Sequence, residues 1–132
     1  MKKLTATLFI AILVFATSCK EDTHGEIKVV TPEEMKSLLE QKDVQLVDVR
    51  TEAERKDGFI EHSQNIDFNS PTFDEDILKL DKSKPVVLYC KSGGRSAKCA
   101  EKLKAAGFIK IFDLEGGITK WRFKGFEIST ED

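Results

Sequence analysis

The stretch Val86–Ser96, with the sequence VVLYCKSGGRS, decides the fold of this chain. Its four leading apolar residues predict a strand that is buried on both faces. Residues 96–106 follow with the apolar spacing of a helix, at Ala97, Ala100, Leu103 and Ala106. A strand, a loop and a helix in this order place Cys90 at the carboxyl end of a central strand, where open α/β sheets bind their ligands.

The position of Cys90 predicts a reactive thiol. The first N–H groups of the following helix lack intrahelical partners, and the helix dipole is positive at that end. Gly93 and Gly94 allow loop N–H groups to turn inward around an anion, while Lys91 and Arg95 add two cations. Such surroundings lower the pKa of a thiol from about 8.5 to between roughly 3.5 and 7.5. The alternative is that Cys90 is a small core residue that ends a strand.

Residues 1–18 have the pattern of a secretory signal peptide, with two lysines followed by the apolar run Leu4–Ala16. This run is shorter than the about 20 residues of a confident membrane-spanning helix. Its end resembles the lipobox of bacterial lipoproteins, which implies that Cys19 carries a lipid and that residues 19–26 form the lipidated cysteine and a tether. We therefore expect a membrane-anchored protein of the bacterial cell envelope, outside the cytoplasm. An ordinary secreted protein, cleaved near the same place, is the alternative.

Charge and composition argue against a nucleic-acid partner, a metal site and a cofactor. The chain has 21 basic and 23 acidic residues, and loss of the two lysines of the leader leaves 19 against 23, a net charge of −4. There is no basic stripe, so no nucleic-acid partner is expected. His24 and His62 have no Cys or His at ligand spacing, so we predict surface histidines, no metal site and no cofactor.

Strand and helix patterns alternate between residues 27 and 128. This alternation predicts one α/β domain over 27–128, with a central parallel sheet and helices on both faces. A capping box at Thr31–Glu34, with Pro32 at the first helical position, begins the first helix. A later helix, opened by Ser70 and Pro71, is expected to bury Phe73, Ile77, Leu78 and Leu80. The predicted strands are Ile27–Val30, Val44–Val49, a short one around Ile66, Val86–Tyr89 and Ile109–Leu114.

Four motifs in this order resemble the rhodanese family over about residues 27–128. They are Leu46–Arg50 followed by Glu52 and Glu54, Gly58–Ile60 leading to Asn65 and Ile66, Val86–Ser96, and Leu114–Gly117 with Trp121. The second motif departs from the family, which usually has Gly-His-Ile-Pro-Gly-Ala where this chain has GFIEHS at residues 58–63. That departure lies in a loop beside the site and concerns substrate preference rather than fold.

The resemblance implies a sulfurtransferase. Cys90 would take a sulfane sulfur from a small anionic donor such as thiosulfate, become a persulfide, and pass the sulfur to cyanide or a thiol acceptor. Backbone N–H groups of the loop would hold the terminal sulfur anion. The loop residues are Lys91, Ser92, Gly93, Gly94 and Arg95.

The charged and aromatic residues around the loop have expected roles of their own. Lys91 and Arg95 would attract the anionic donor, although Arg95 is equally suited to orient the loop by bonding to carbonyl groups or an acidic neighbour. Asp48 and Arg50 are expected to support the loop rather than touch substrate. Trp121 is expected in the core, and the Gly116-Gly117 pair in a backbone turn.

Three other functions compete with sulfur transfer. A phosphatase also uses a Cys and Arg loop, but related phosphatases have one residue more between the two than the four found here, and the smaller loop suits a single sulfur atom. A non-catalytic or redox module of the cell envelope is the second. Thiol–disulfide exchange between Cys90 and Cys99 is the third, although Cys99 is better interpreted as a small buried helix residue.

Overall fold

A five-stranded parallel sheet forms the centre of the molecule in the computed structural model, which describes residues 25–131. The strands are β1 (Glu26–Val30), β2 (Gln45–Asp48), β3 (Gln64–Asn65), β4 (Val86–Tyr89) and β5 (Lys110–Leu114). The helices are α1 (Pro32–Leu39), α2 (Glu52–Lys56), α3 (Phe73–Ile77), α4 (Gly94–Ala105) and α5 (Gly117–Phe123). The sheet order is β1-β5-β4-β2-β3, and every paired neighbour is parallel. The predicted α/β class and its parallel sheet are confirmed.

Strand β4 lies inside the sheet, between β5 and β2, and all four of its side chains are fully buried. Because successive side chains point to opposite faces of the sheet, the side chains of β4 contribute to two separate hydrophobic cores. Val86, Leu88 and Cys90 pack with side chains of α3 and α4, whereas Val87 and Tyr89 pack with side chains of α1 and α5. Helices therefore cover both faces, as predicted, and Cys90 points toward α4.

The helix boundaries follow local capping. Thr31 Oγ1 accepts the Glu34 amide at 3.2 Å, and the Glu34 carboxylate accepts the Thr31 amide at 2.9 Å, which confirms the capping box of α1. Thr51 and Glu54 form a second box at the start of α2. Trp121 is buried, and its indole N–H donates to the Glu127 carbonyl at 2.9 Å, so its predicted core position is also confirmed.

Two predictions about buried helix faces are each wrong at one residue, whereas Ala100, Leu103, Phe73, Ile77 and Leu80 are buried as predicted. Helix α4 begins at Gly94, two residues earlier than expected, and its buried face carries Ser96 and Cys99 while Ala97 is exposed. A methyl group contributes too little burial to fix the face of a helix, which Leu103 and its neighbours decide instead. Leu78 is 54% exposed because α3 ends before it.

Within residues 25–131 no helix is long and apolar enough to cross a membrane. The predicted signal peptide at 1–18 and the lipidation of Cys19 fall on residues 1–24, outside the described part of the chain.

Candidate functional site

The loop between β4 and α4 folds back over the Cys90 thiol. Cys90 is 1% exposed at the end of β4, and the Gly93 amide donates to its Sγ at 3.1 Å. Gly93 has φ +112°, a conformation that side chains rarely adopt, which explains a glycine there. Gly94 has an ordinary φ, and a Cβ at this position would meet no atom within 4 Å, so the outer side of the loop is open. Lys91, Ser92 and Gly94 are solvent-exposed.

Hydrogen bonds hold the pKa of the Cys90 thiol below its usual range. Burial raises this pKa, but the Ser96 hydroxyl and the backbone N–H groups of Ser96, Gly93 and Ser92 together outweigh burial and lower it. The Ser96 Oγ lies 3.4 Å from Cys90 Sγ. The sequence suggested cations as a cause as well as N–H groups, whereas the hydrogen bonds are the larger influence here. Ser96 was missed as a site residue because a serine in the first turn of a helix is too common to signal a role.

Arg95 orients the loop through an acidic neighbour, which is one of its two expected roles. Its Nη1 and Nη2 donate to Glu54 Oε2 and Oε1, both at 2.7 Å. The same carboxylate accepts the Thr51 amide at 3.0 Å in the cap of α2. The hydrogen bonds from Arg95 lower the pKa of Glu54 against the raising effect of burial, to about 2. One ion pair thus joins the start of α2 to the start of α4.

Asp48 and Arg50 form a buried ion pair at the end of β2, before α2 begins. Arg50 Nη2 donates to Asp48 Oδ2 at 2.7 Å and to the Gly58 carbonyl at 2.8 Å, so the pair ties the end of β2 to the turn that follows α2. Burial and the charge of Asp48 raise the pKa of Tyr89 to about 12, and the protonated phenol donates to Asp48 Oδ2 at 3.0 Å. Arg50 Nη1 also donates to the carbonyl of Glu54, the residue that pairs with Arg95, at 3.4 Å. The supporting role expected for Asp48 and Arg50 stays a prediction.

The Gly116-Gly117 turn brings the start of α5 against the site. The amides of residues 118 and 119 donate to the carbonyl oxygens of Cys90 and Lys91 at 2.9 and 3.1 Å. Both glycines have positive φ, and a Cβ on Gly117 would lie 2.5 Å from the Cys90 carbonyl oxygen. The predicted backbone turn is confirmed. Its contact with the loop was not foreseen, since it depends on how α5 folds back.

The departing motif at residues 58–63 lines a surface cavity and joins a buried hydrogen-bond network. His62 has φ +66°, and its exposed imidazole lines a cavity of about 460 Å³ together with Trp121. Ser63 Oγ lies 3.0 Å from the Tyr89 hydroxyl, so it joins the hydrogen bonds that end at Asp48. The motif thus contributes to the hydrogen-bond network of Tyr89 and Asp48.

Cys99 is the second cysteine among the described residues. Cys90 and Cys99 are both free thiols. Cys99 is fully buried in α4, as predicted, and burial together with the charge of Asp113 raises its pKa to about 12. This thiol is protonated near neutral pH and is poorly suited to exchange. Residues 25–131 contain no group of three or more His, Cys, Asp or Glu side chains arranged to hold a metal ion.

Comparison with known proteins gives consistent matches. A model of the rhodanese-like domain family matches residues 31–124. The uncharacterized protein YqhL of Bacillus subtilis is 30% identical over 114 residues, which cover 86% of this chain and 87% of YqhL. Thiosulfate sulfurtransferase GlpE of Pseudomonas savastanoi is 35% identical over 97 residues, or 74% of this chain and 89% of GlpE.

The chain is also similar to a solved structure and to part of a longer protein. The structure of a rhodanese-like domain protein from Staphylococcus aureus has a TM-score of 0.68 and 36% identity, covering 80% of this chain and 99% of that protein. The chain is also 36% identical to the probable adenylyltransferase/sulfurtransferase MoeZ of Mycobacterium tuberculosis, but it spans only 24% of that protein's length.

Proposed function

The chain belongs to the rhodanese-like family, and from this we propose that it is a sulfurtransferase that carries sulfane sulfur as a persulfide on Cys90. The observation that carries the proposal is the environment of the Cys90 sulfur. Its Sγ accepts the Gly93 amide at 3.1 Å and contacts the Ser96 hydroxyl, and these groups hold the thiol pKa below its usual range. A thiolate is the nucleophilic form of cysteine.

The first half-reaction loads Cys90. The thiolate attacks the sulfane sulfur of thiosulfate, a new S–S bond forms, the donor's S–S bond breaks, and sulfite leaves with the electron pair of that bond. The product is a Cys90 persulfide anion, so no charge is gained or lost. Loop N–H groups at residues 91–95 would stabilise the terminal sulfur, as donors in an oxyanion hole stabilise developing charge.

The second half-reaction unloads Cys90. Cyanide, or the thiolate of an acceptor, attacks the terminal sulfur, and the Cys90 thiolate leaves. The products are thiocyanate or an acceptor persulfide. No external oxidant or reductant is needed, since the sulfur passes as a neutral atom and the electron pair of the broken S–S bond stays on the Cys90 thiolate.

Lys91 supports an anionic donor. Its side chain is exposed beside the loop and lines a cavity of about 250 Å³ that carries the cations Arg50 and Arg122 as well as the carboxylates of Glu54 and Asp57. The three cations of this cavity outnumber its two carboxylates, and a net positive charge raises the local concentration of a small dianion. Arg95, paired with Glu54, acts in this proposal by positioning the loop.

Turnover tests the proposal. The purified full chain is assayed for thiocyanate formation from thiosulfate and cyanide, beside Cys90→Ser and Cys99→Ser. We expect Cys90→Ser to lose all turnover and Cys99→Ser, as the matched control, to keep most of it. Equal loss in both variants would favour a two-thiol mechanism, and phosphate release from an aryl phosphate by the same samples would favour a phosphatase.

We further propose that the protein works in the bacterial cell envelope, held to a membrane by lipid on Cys19. The support is the sequence of residues 1–19, with its two lysines, its apolar run and its terminal cysteine. A single acyl chain binds membranes weakly, whereas the several chains of a lipoprotein anchor it stably.

A further inference from the structure

A small charged cavity lies beside the reactive cysteine. It has a volume of about 250 Å³, and Lys91, Ile118 and Thr119 are among its lining residues. Lys91 follows Cys90 in the chain, so the Cα atoms of the two residues are about 3.8 Å apart. The Ile118 amide donates to the Cys90 carbonyl at 2.9 Å. The cavity therefore borders the residue that carries the sulfur in the proposed function.

Two of the charges that line this cavity are neutralised within the protein. Arg50 is buried and pairs with Asp48 at 2.7 Å. Glu54 pairs with Arg95, also at 2.7 Å. Each of these groups already has an opposite charge in contact, so neither is free to select a ligand.

The other three charges of the cavity have no such partner. They are the cations Lys91 and Arg122 and the carboxylate of Asp57, and all three residues are exposed to solvent. Within residues 25–131 none of the three forms an ion pair. Two cations and one carboxylate are thus left to face a ligand.

The turn after α2 holds Arg122 at the cavity. Its Nη2 donates to the Asp57 carbonyl at 3.1 Å. Gly58 follows with φ +130°, and a Cβ at this position would lie 2.6 Å from the same nitrogen, so the glycine leaves room for the guanidinium. Arg122 Nε and Nη1 donate to no group in the described part of the chain. A guanidinium with free N–H groups binds a carboxylate through parallel hydrogen bonds.

Size and charge together define the class of ligand. The cavity is smaller than the roughly 300–1,000 Å³ of pockets for drug-sized molecules, so it suits a small molecule. Its cations suit a carboxylate, and Asp57 suits an ammonium group. Thiosulfate would engage the cations alone and leave Asp57 without a partner, whereas an amino acid carries both charges.

We propose that this cavity selects an amino-acid thiol as the sulfur acceptor, with its carboxylate on Lys91 and Arg122 and its ammonium group on Asp57. The inference rests on the proposed function and names the acceptor class for it. The acceptor thiol first releases its proton to solvent. Its thiolate then attacks the terminal sulfur of the Cys90 persulfide and forms a new S–S bond. The bond from that sulfur to Cys90 Sγ breaks, and Cys90 leaves as a thiolate with the electron pair.

Unloading of the persulfide in a single turnover tests the proposal. The full chain is loaded with thiosulfate, excess donor is removed, and loss of sulfur from Cys90 is followed by mass after addition of a thiol below saturation. The thiols are cysteine, 3-mercaptopropionate, which lacks the ammonium group, and cysteamine, which lacks the carboxylate. Because each thiol is compared between wild type and variant, its intrinsic reactivity cancels.

Each charge of the cavity should affect only the thiols that carry the opposite charge. Arg122→Gln should slow unloading by cysteine and 3-mercaptopropionate about fivefold relative to cysteamine. Asp57→Asn should slow cysteine and cysteamine about fivefold relative to 3-mercaptopropionate. Lys124→Gln is the matched control, because it removes a cation directly after α5 that pairs with Glu33 and does not line the cavity. It should change neither ratio.

Two results would overturn the proposal. One is the same set of ratios in wild type and Arg122→Gln, and the other is a change in Lys124→Gln as large as that in Arg122→Gln. Lys91→Gln removes the second cation and gives the same readout if Arg122→Gln does not fold. A folded chain that takes up no sulfur would contradict the proposed function and this inference together. A chain that loads and unloads sulfur without these ratios would contradict this inference alone.

Discussion

Replacing Glu54 by glutamine tests the ion pair that fixes the active-site loop. Glutamine keeps the shape of the side chain and can complete a capping box as glutamate does, so the cap of α2 is retained. The charge that faces both nitrogens of Arg95 is lost. The substitution therefore isolates the ionic contribution of Glu54 from its capping contribution.

The expected loss of stability follows from the pKa of Glu54. The lowering from 4.5 to about 2 corresponds to roughly 3 kcal/mol of stability at neutral pH. The side chains of Arg95 and Glu54 are 25% and 29% exposed, so solvent screens part of this energy. We expect Glu54→Gln to lower the free energy of unfolding by about 2 kcal/mol at pH 7.

The same effect must fade in acid. Because the pKa of Glu54 is lower in the folded protein, its stabilisation is complete above the unfolded value of 4.5 and is lost as the pH falls toward 2. Urea unfolding, followed by the fluorescence of Trp121, measures the difference between wild type and variant. We expect the difference at pH 3 to be less than half of that at pH 7.

A matched control lies in the same helix. Glu52 is paired with Lys56 at 4.0 Å, and its side chain is 82% exposed. Glu52→Gln should therefore cost less than about 0.5 kcal/mol. An equal cost for the two variants, or a Glu54→Gln cost that does not change between pH 7 and pH 3, would refute the reasoning.

Two further predictions concern the turn before α5 and the N-terminus. Gly117→Ala should lower the free energy of unfolding by about 3 kcal/mol, since its Cβ would lie 2.5 Å from the Cys90 carbonyl oxygen at φ +59°. Gly94→Ala has an ordinary φ and no atom within 4 Å, so urea unfolding should show no loss, or a gain of up to about 1 kcal/mol; equal losses would contradict this account. Cys19→Ser should abolish incorporation of labelled palmitate in a bacterial host, and unchanged labelling would contradict the proposed anchor.

The fold and the centre of the site could be predicted because their signals are local. The apolar run before Cys90 has the composition of a doubly buried strand, and the glycine after it permits the left-handed turn that the loop needs. The capping box at Thr31 is likewise complete within four residues. Such patterns express physical preferences of neighbouring residues and need no knowledge of the rest of the chain.

The contacts that hold the site together are not local and were not predictable. Glu54 and Arg95 are 41 residues apart in sequence, and nothing near either residue identifies its partner. In the sequence, Asp113 looks like any acidic residue near the end of a strand. Only the register of β5 against β4 shows that its side chain faces α4. The burial predicted for Leu78 is wrong because the helix ends at Ile77, one residue before it, while the apolar pattern continues to Leu80.

The most direct test of the account is the mass of the Cys90 peptide after the full chain has been incubated with thiosulfate and excess donor removed. We predict a gain of one sulfur atom on the peptide that contains Cys90, lost again on addition of cyanide with formation of an equal amount of thiocyanate. A folded protein whose Cys90 peptide gains no sulfur from thiosulfate or polysulfide, or gains it on Cys99 instead, would contradict the proposal that Cys90 carries the sulfur.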